Sequence, residues 1–281
     1  MRKVIKFIDI ILIAIVLTIF TLCKIVSSFA LSESNAKKVL KDNGIYTRLN
    51  NDIKDSIKRA LKNSYRNIPT LDIDDLVEKT ITEEVLEKEF DYTIKELYSS
   101  GKLYIDSNIL SDGYSNNLNQ YLAENNIDLP DNIREEINQL MTINSIGTTD
   151  VQYFNDNYSK YFILLKDTIN KVETFSLVSF IILLVLTIVL SKEKIRGIYI
   201  PLILTGINVI VVSFVAKIFV YNQNIFPREQ ILLDIIDSIK KALFTQLNLV
   251  STIFIVVGIV LMIIKIILRI KANKRLELEA I

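Results

Sequence analysis

The chain has 281 residues, half of them hydrophobic, with 33 lysines and arginines against 32 aspartates and glutamates, seven glycines, four prolines, one cysteine and no histidine. The missing histidine removes the commonest general base, metal ligand and pH switch, and a single cysteine, Cys23, excludes an intramolecular disulfide and a cysteine-rich metal site. The apolar residues gather in four stretches longer than a soluble core segment needs. They predict an all-α integral membrane protein, with four transmembrane helices plus an all-helical extracytoplasmic domain.

The first stretch lies in residues 1–30, a short cytoplasmic start and transmembrane helix 1. Its uninterrupted apolar run reaches only from Ile10 to Cys23, between Asp9 and Lys24. A lysine near a helix end can extend its ammonium to the headgroups, so a helix from Lys6 to Ser27 can still cross a hydrocarbon core of roughly 30 Å. The rival reading is a cleaved secretory signal ending at Ser28-Phe29-Ala30. Leu22 in front of Cys23 argues against a lipoprotein box.

Residues 31–172 form the expected extracytoplasmic domain, helical throughout. Ser34 is expected to cap a short helix that stops at Asn43-Gly44. Leu49, Ile53, Ile57 and Leu61 recur every four residues and make Tyr46 to Tyr65 an amphipathic helix. Pro69 interrupts the pattern, and a short helix follows from Asp72 to Lys79. Thr80 with Glu83 reads as a capping box for a helix running to Ser100, with Leu86, Phe90, Ile94 and Leu97 inward. Its carboxylates Glu83, Glu84, Glu87, Glu89 and Asp91 read as a solvated face favoured by the helix dipole. Gly101 ends that helix, and Leu103-Tyr104-Ile105 is the one extended segment expected.

Leu110, Tyr114, Leu118, Tyr121 and Leu122 define the next helix, and Asn125 to Pro130 a loop. Asp131 is expected to cap a helix with Ile133, Ile137, Leu140 and Met141 inward. From Thr149 the residues Phe154, Tyr158, Tyr161, Leu165, Ile169 and Val172 recur at three- and four-residue steps with no proline or glycine. That predicts one stalk helix from about Thr149 to Lys192, on the order of 65 Å long.

The remaining spans are residues 173–191 and 198–220, joined by the link 192–197, and residues 242–264. Residues 221–241 are expected to form an outer amphipathic helix opening at Pro227, with Ile231, Ile235, Ile236 and Ile239 on one face. Residues 265–281 make a basic tail. Arg2, Lys3 and Lys6, then Lys192, Lys194 and Arg196, then Lys265, Arg269, Lys271, Lys274 and Arg275 all fall on one side of this arrangement. The positive-inside rule therefore places both termini in the cytoplasm of a multi-pass protein of the bacterial plasma membrane. The segment Leu31 to Val172 carries 17 basic and 24 acidic residues, a net of −7, while the whole chain is at +1. An acidic outer domain predicts no nucleic-acid partner.

Few residues suggest chemistry. Asn208, with Gly206 and Gly258, is the candidate intramembrane site, either packing helices together or lining a path. Glu173 and Lys217 are a candidate ion pair at the outer ends of their spans. Asp72, Asp74 and Asp75 match a calcium site only in composition. No catalytic, cofactor-binding or metal-ligating residue is expected, and no cofactor. The ten tyrosines from Tyr46 to Tyr161 read mostly as core residues with a polar tip.

The pieces Asp42-Asn43-Gly44-Ile45-Tyr46-Thr47-Arg48-Leu49, Ile81-Thr82-Glu83-Glu84-Val85-Leu86 and Tyr104-Ile105-Asp106 resemble recurring segments of uncharacterised bacterial four-span membrane proteins with a helical domain between the first two spans. The resemblance implies this architecture and no activity. Abundant Ile, Lys and Asn fit an AT-rich, Gram-positive genome. The expectation is a non-enzymatic protein whose outer domain binds a partner or ligand as an accessory or sensing subunit. Its partners would be the lipid bilayer and other membrane or envelope proteins, or further copies of itself. The alternative is an oligomeric small transporter or channel subunit.

Overall fold

A computed structural model describes residues 2–65, 71–146, 148–190, 195–221 and 230–279, and among these every regular element is a helix. In order they are α1 (Arg2–Ile25), α2 (Glu33–Asp42), α3 (Ile45–Ser64), α4 (Ile73–Thr80), α5 (Glu83–Ser100), α6 (Ser107–Glu124), α7 (Asp131–Ser145), α8 (Thr148–Asn157), α9 (Ser159–Leu190), α10 (Arg196–Tyr221) and α11 (Gln230–Glu279). Four helical stretches are long and apolar enough to cross a membrane: Phe7–Ala30, Ser159–Val189, Arg196–Phe219 and Asp237–Asn273. The chain divides into two compact units. One comprises Met1–Leu31, Lys166–Pro227 and Ile239–Ile281, the other Ser32–Leu165 with Arg228–Ser238.

In the first unit the helices alternate in direction, as their cross-contacts require. Ala14 and Thr18 of α1 meet Thr205 and Asn208 of α10, so these two run parallel. Asp9 meets Thr187 and Lys24 meets Glu173, so α9 runs opposite to α1. Gly206 lies against Ser251 and Ile255, and Gly258 against Tyr199 and Ile203, so α11 runs opposite to α10. Ile25, Val209, Phe244 and Leu247 form the apolar core shared by α1, α10 and α11. The other flanks stay open, with Phe175 at 76% and Phe214 at 65% exposure. At the end of α1 the chain widens into a π-helical turn, Val26–Ala30, closed by Leu31 N–H to the Val26 carbonyl at 3.0 Å.

The second unit packs α3, α4, α5, α6 and α7 around Ile57, Leu76, Leu86, Tyr114, Ile137 and Met141, all nearly inaccessible to solvent. A smaller cluster of Ala36, Leu40, Ile45, Tyr46 and Ile94 fastens α2 to α3 and α5. Burial of such side chains supplies the main driving force, about 1.5–3 kcal/mol each. Helix ends follow local chemistry, with some shifts from expectation. Ser32, not Ser34, caps α2. Thr80 closes α4, and Thr82 stands as N-cap of α5 without a side-chain capping bond. Asp131 is the first residue of α7 rather than its cap, because Pro130 already supplies the preset backbone angle. Gly101 ends α5 with φ 75°, in the left-handed region that glycine occupies without strain.

Two expectations about helix continuity change. The stalk is interrupted at Tyr158, between α8 and α9. Conversely, α11 continues without a break through what reads in sequence as an amphipathic helix, a span and a tail. Pro227, the predicted start of that amphipathic helix, the interruption at Pro69 and the link Ser191 to Lys194 lie outside the described residues, as do the side chains of Ile231, Ile235 and Ile236.

Candidate functional site

The intramembrane candidates converge on helix crossings. At the α1–α10 contact, the Thr205 hydroxyl donates to the Ala14 carbonyl at 3.2 Å, and the Asn208 amide donates to Thr18 Oγ1 at 3.4 Å. Thr18 in turn donates to Ala14 O at 2.7 Å, and Thr21 to Leu17 O at 2.7 Å. At the α10–α11 contact, a Cβ placed on Gly206 would lie 2.8 Å from the Ser251 carbonyl oxygen, and one on Gly258 would lie 3.2 Å from that of Tyr199. Thr205 and Ser251 are fully buried there. Small residues at these positions let backbones approach, which is how apolar helices associate where lipid tails compete equally for contact.

Glu173 accepts from Lys24 Nζ at 3.0 Å, so the ion pair seen at this carboxylate joins α9 to α1. Lys217, the partner suggested by sequence, lies exposed on α10. At the other end of the α1–α9 contact, the Thr187 hydroxyl donates to Asp9 Oδ2 at 2.6 Å. Lys265 of α11 stands 5.7 Å over the ring of Tyr199 at the start of α10.

The second unit holds a site that sequence reasoning placed on the surface. Glu89 is only 4% exposed, whereas Glu83, Glu87 and Asp91, at four-residue spacing on another face of α5, take Thr47, Lys41 and Tyr46 as partners. Its Oε1 accepts the Asp106 backbone N–H at 2.8 Å and faces the Thr93 hydroxyl at 3.1 Å, while Oε2 is buried without a hydrogen-bond partner. Burial raises the Glu89 carboxyl to about 7, more than its two hydrogen bonds lower it. A signal was present: Glu89 follows Val85 and Leu86 by four and three residues and precedes Thr93 by four, on the buried face of α5.

Glu89 and Thr93 hold one side of the extended segment Leu103 to Asp106, for Thr93 also lies 2.8 Å from the Tyr104 carbonyl. Asn155 of α8 holds the other side. Its Oδ1 accepts the Leu103 N–H at 2.8 Å and its Nδ2 donates to the Leu103 carbonyl at 2.7 Å, reproducing the pairing of a neighbouring strand. Beside this strap is an open cleft of about 480 Å³, walled by Leu103, Tyr104, Ile105, Ile146, Val151, Gln152, Asn155 and Asp156.

Asp72 is the N-cap of α4, accepting the N–H groups of Asp74 and Asp75 at 3.0 and 3.1 Å, and Asp74 pairs with Lys62. Among the described residues no acidic, cysteine or histidine cluster has a metal-binding arrangement. No family model matches the chain, and no curated protein or solved structure is significantly similar to it, so the resemblance read from its short segments assigns no family.

Proposed function

We propose that the chain is a non-enzymatic, multi-pass protein of a bacterial plasma membrane, with both termini cytoplasmic. Residues 32–165 act outside as an accessory or sensing domain for an envelope or membrane partner. The observation that carries this reading is the pairing of an independently cored helical unit with four apolar helices whose flanks are open. Lipid would cover those flanks, and the cleft beside the Leu103–Asp106 strap offers the outer domain a place to receive a partner segment.

A path through Asn208 finds less support. Its amide is committed to Thr18, and Gly206 and Gly258 are occupied by close backbone contacts. The role that suits them is cohesion of α1, α10 and α11.

Chemical crosslinking in the native host membrane, followed by purification in mild detergent and identification of the attached chains, tests the proposal. A stoichiometric second protein crosslinked through residues 32–165 is the expected result. A homo-oligomer with nothing else attached, conducting ions or solutes in reconstituted vesicles, would replace it with the pore reading.

A further inference from the structure

Glu89 is unusual in its surroundings as well as its burial. Aspartate, tyrosine and threonine surround it: Thr93 and Tyr92 on its own helix, Asp106 on the strap, and Tyr114 on α6. No lysine or arginine forms an ion pair with it among the described residues. A carboxylate in such a place has only the Asp106 N–H and the Thr93 hydroxyl to stabilise its charge.

The Thr93 hydroxyl has a single proton and two acceptors in reach, Glu89 Oε1 at 3.1 Å and the Tyr104 carbonyl at 2.8 Å. When Glu89 is protonated it can donate to Thr93 Oγ1, leaving the hydroxyl proton for Tyr104 and completing a chain from carboxyl to hydroxyl to carbonyl. When Glu89 loses its proton to solvent, the negative charge draws the hydroxyl proton to itself, and the Tyr104 carbonyl loses its donor.

We propose that Glu89 and Thr93 form a proton-operated latch at the centre of the Leu103–Asp106 strap: Thr93 holds the Tyr104 carbonyl when Glu89 is neutral and gives it up when Glu89 ionises, while the Asp106 N–H stays on the carboxylate, so that proton activity sets the shape of the adjoining cleft. Burial places the carboxyl's titration at about 7, so modest changes in the pH around the unit span both states. The strap forms one wall of the cleft, through Leu103, Tyr104 and Ile105, and its far side stays anchored by Asn155. Release at Tyr104, between the anchors at Leu103 and Asp106, would therefore bow the strap without detaching it. This inference does not depend on which side of the membrane the unit occupies or on its having a partner.

Hydrogen–deuterium exchange of the full-length protein in detergent reads the latch directly, with rates corrected for intrinsic exchange at each pH. Protection of peptides covering residues 103–107 should fall as pH rises from about 5 to about 7, by at most about tenfold per pH unit, and level off above that. In Glu89→Gln protection should be independent of pH, and in Thr93→Val it should be low at every pH. Equal pH profiles for wild type and Glu89→Gln, or no pH response in wild type, would overturn the proposal. Infrared titration of the wild type needs no variant. A protonated carboxyl band surviving to neutral pH supports the latch, and its complete loss below about pH 5 refutes it.

Discussion

At the residue scale, Glu89 links acidity to stability. It titrates near 4.5 when exposed and about 7 in the fold, so the native state holds a proton more tightly than the unfolded chain. Its contribution is complete below 4.5 and is lost as pH rises through 7, amounting to about 3 kcal/mol over that window. Thermal melts of Glu89→Gln in detergent should therefore gain on wild type progressively from about pH 5 to about pH 7 and hold that gain above it. A difference between the two that is constant with pH would show that Glu89 does not titrate in this range. Gly206 makes the complementary prediction in the first unit. Gly206→Val forces a branched side chain against the Ser251 carbonyl and should destabilise the α10–α11 contact by about 1–3 kcal/mol, measured by denaturant titration of helicity. Gly206, Gly258 and Asn208 stand out in the sequence because a polar or side-chain-free residue in an apolar run has few roles. Glu89 was misread because a run of neighbouring acids conceals which of them faces inward.

At the element scale, the strap depends on α8 as much as on α5. Asn155→Ala removes both bonds to Leu103 and leaves its N–H and carbonyl partly buried without partners, a loss of roughly 1–3 kcal/mol. Exchange at Leu103 should quicken in this variant at all pH values, while the pH response at Asp106 persists. If Leu103 keeps wild-type protection, Asn155 is not its anchor. Periodicity located α3, α5, α6 and α7 well because each buries a face whose apolar spacing is written in the chain. It could not show the interruption at Tyr158, where no proline or glycine marks the stop. The Tyr158 N–H still reaches the Phe154 carbonyl at 2.8 Å, so the break is one residue wide. Nor could it show α11 as one helix, since hydropathy changes along it while helix propensity does not.

On the scale of the whole molecule, the alternation of α1, α9, α10 and α11 brings the starts of α1 and α10 and the ends of α9 and α11 to the same end of their unit. The basic flanks counted from sequence follow this geometry, and the proposed topology follows from the flanks. A reporter fused within α6 at Asn116 should be active only in its extracytoplasmic form, and cytoplasmic activity there would invert the molecule. The four apolar helices were legible in sequence because span length and hydropathy are averages over many residues. The helix pairings were hidden, since Thr18 and Asn208 are 190 residues apart and nothing local connects them.

That separation bears on how the protein is made. On the proposed topology α1 would enter the bilayer long before α10 is made, and until then Thr18 and Thr21 would have no α10 to turn to. Their hydroxyls are bonded within α1 itself, to Ala14 and Leu17. The helix can thus wait in lipid with its side-chain polarity satisfied, and the arrival of α10 adds the Thr205 and Asn208 bonds without first breaking any.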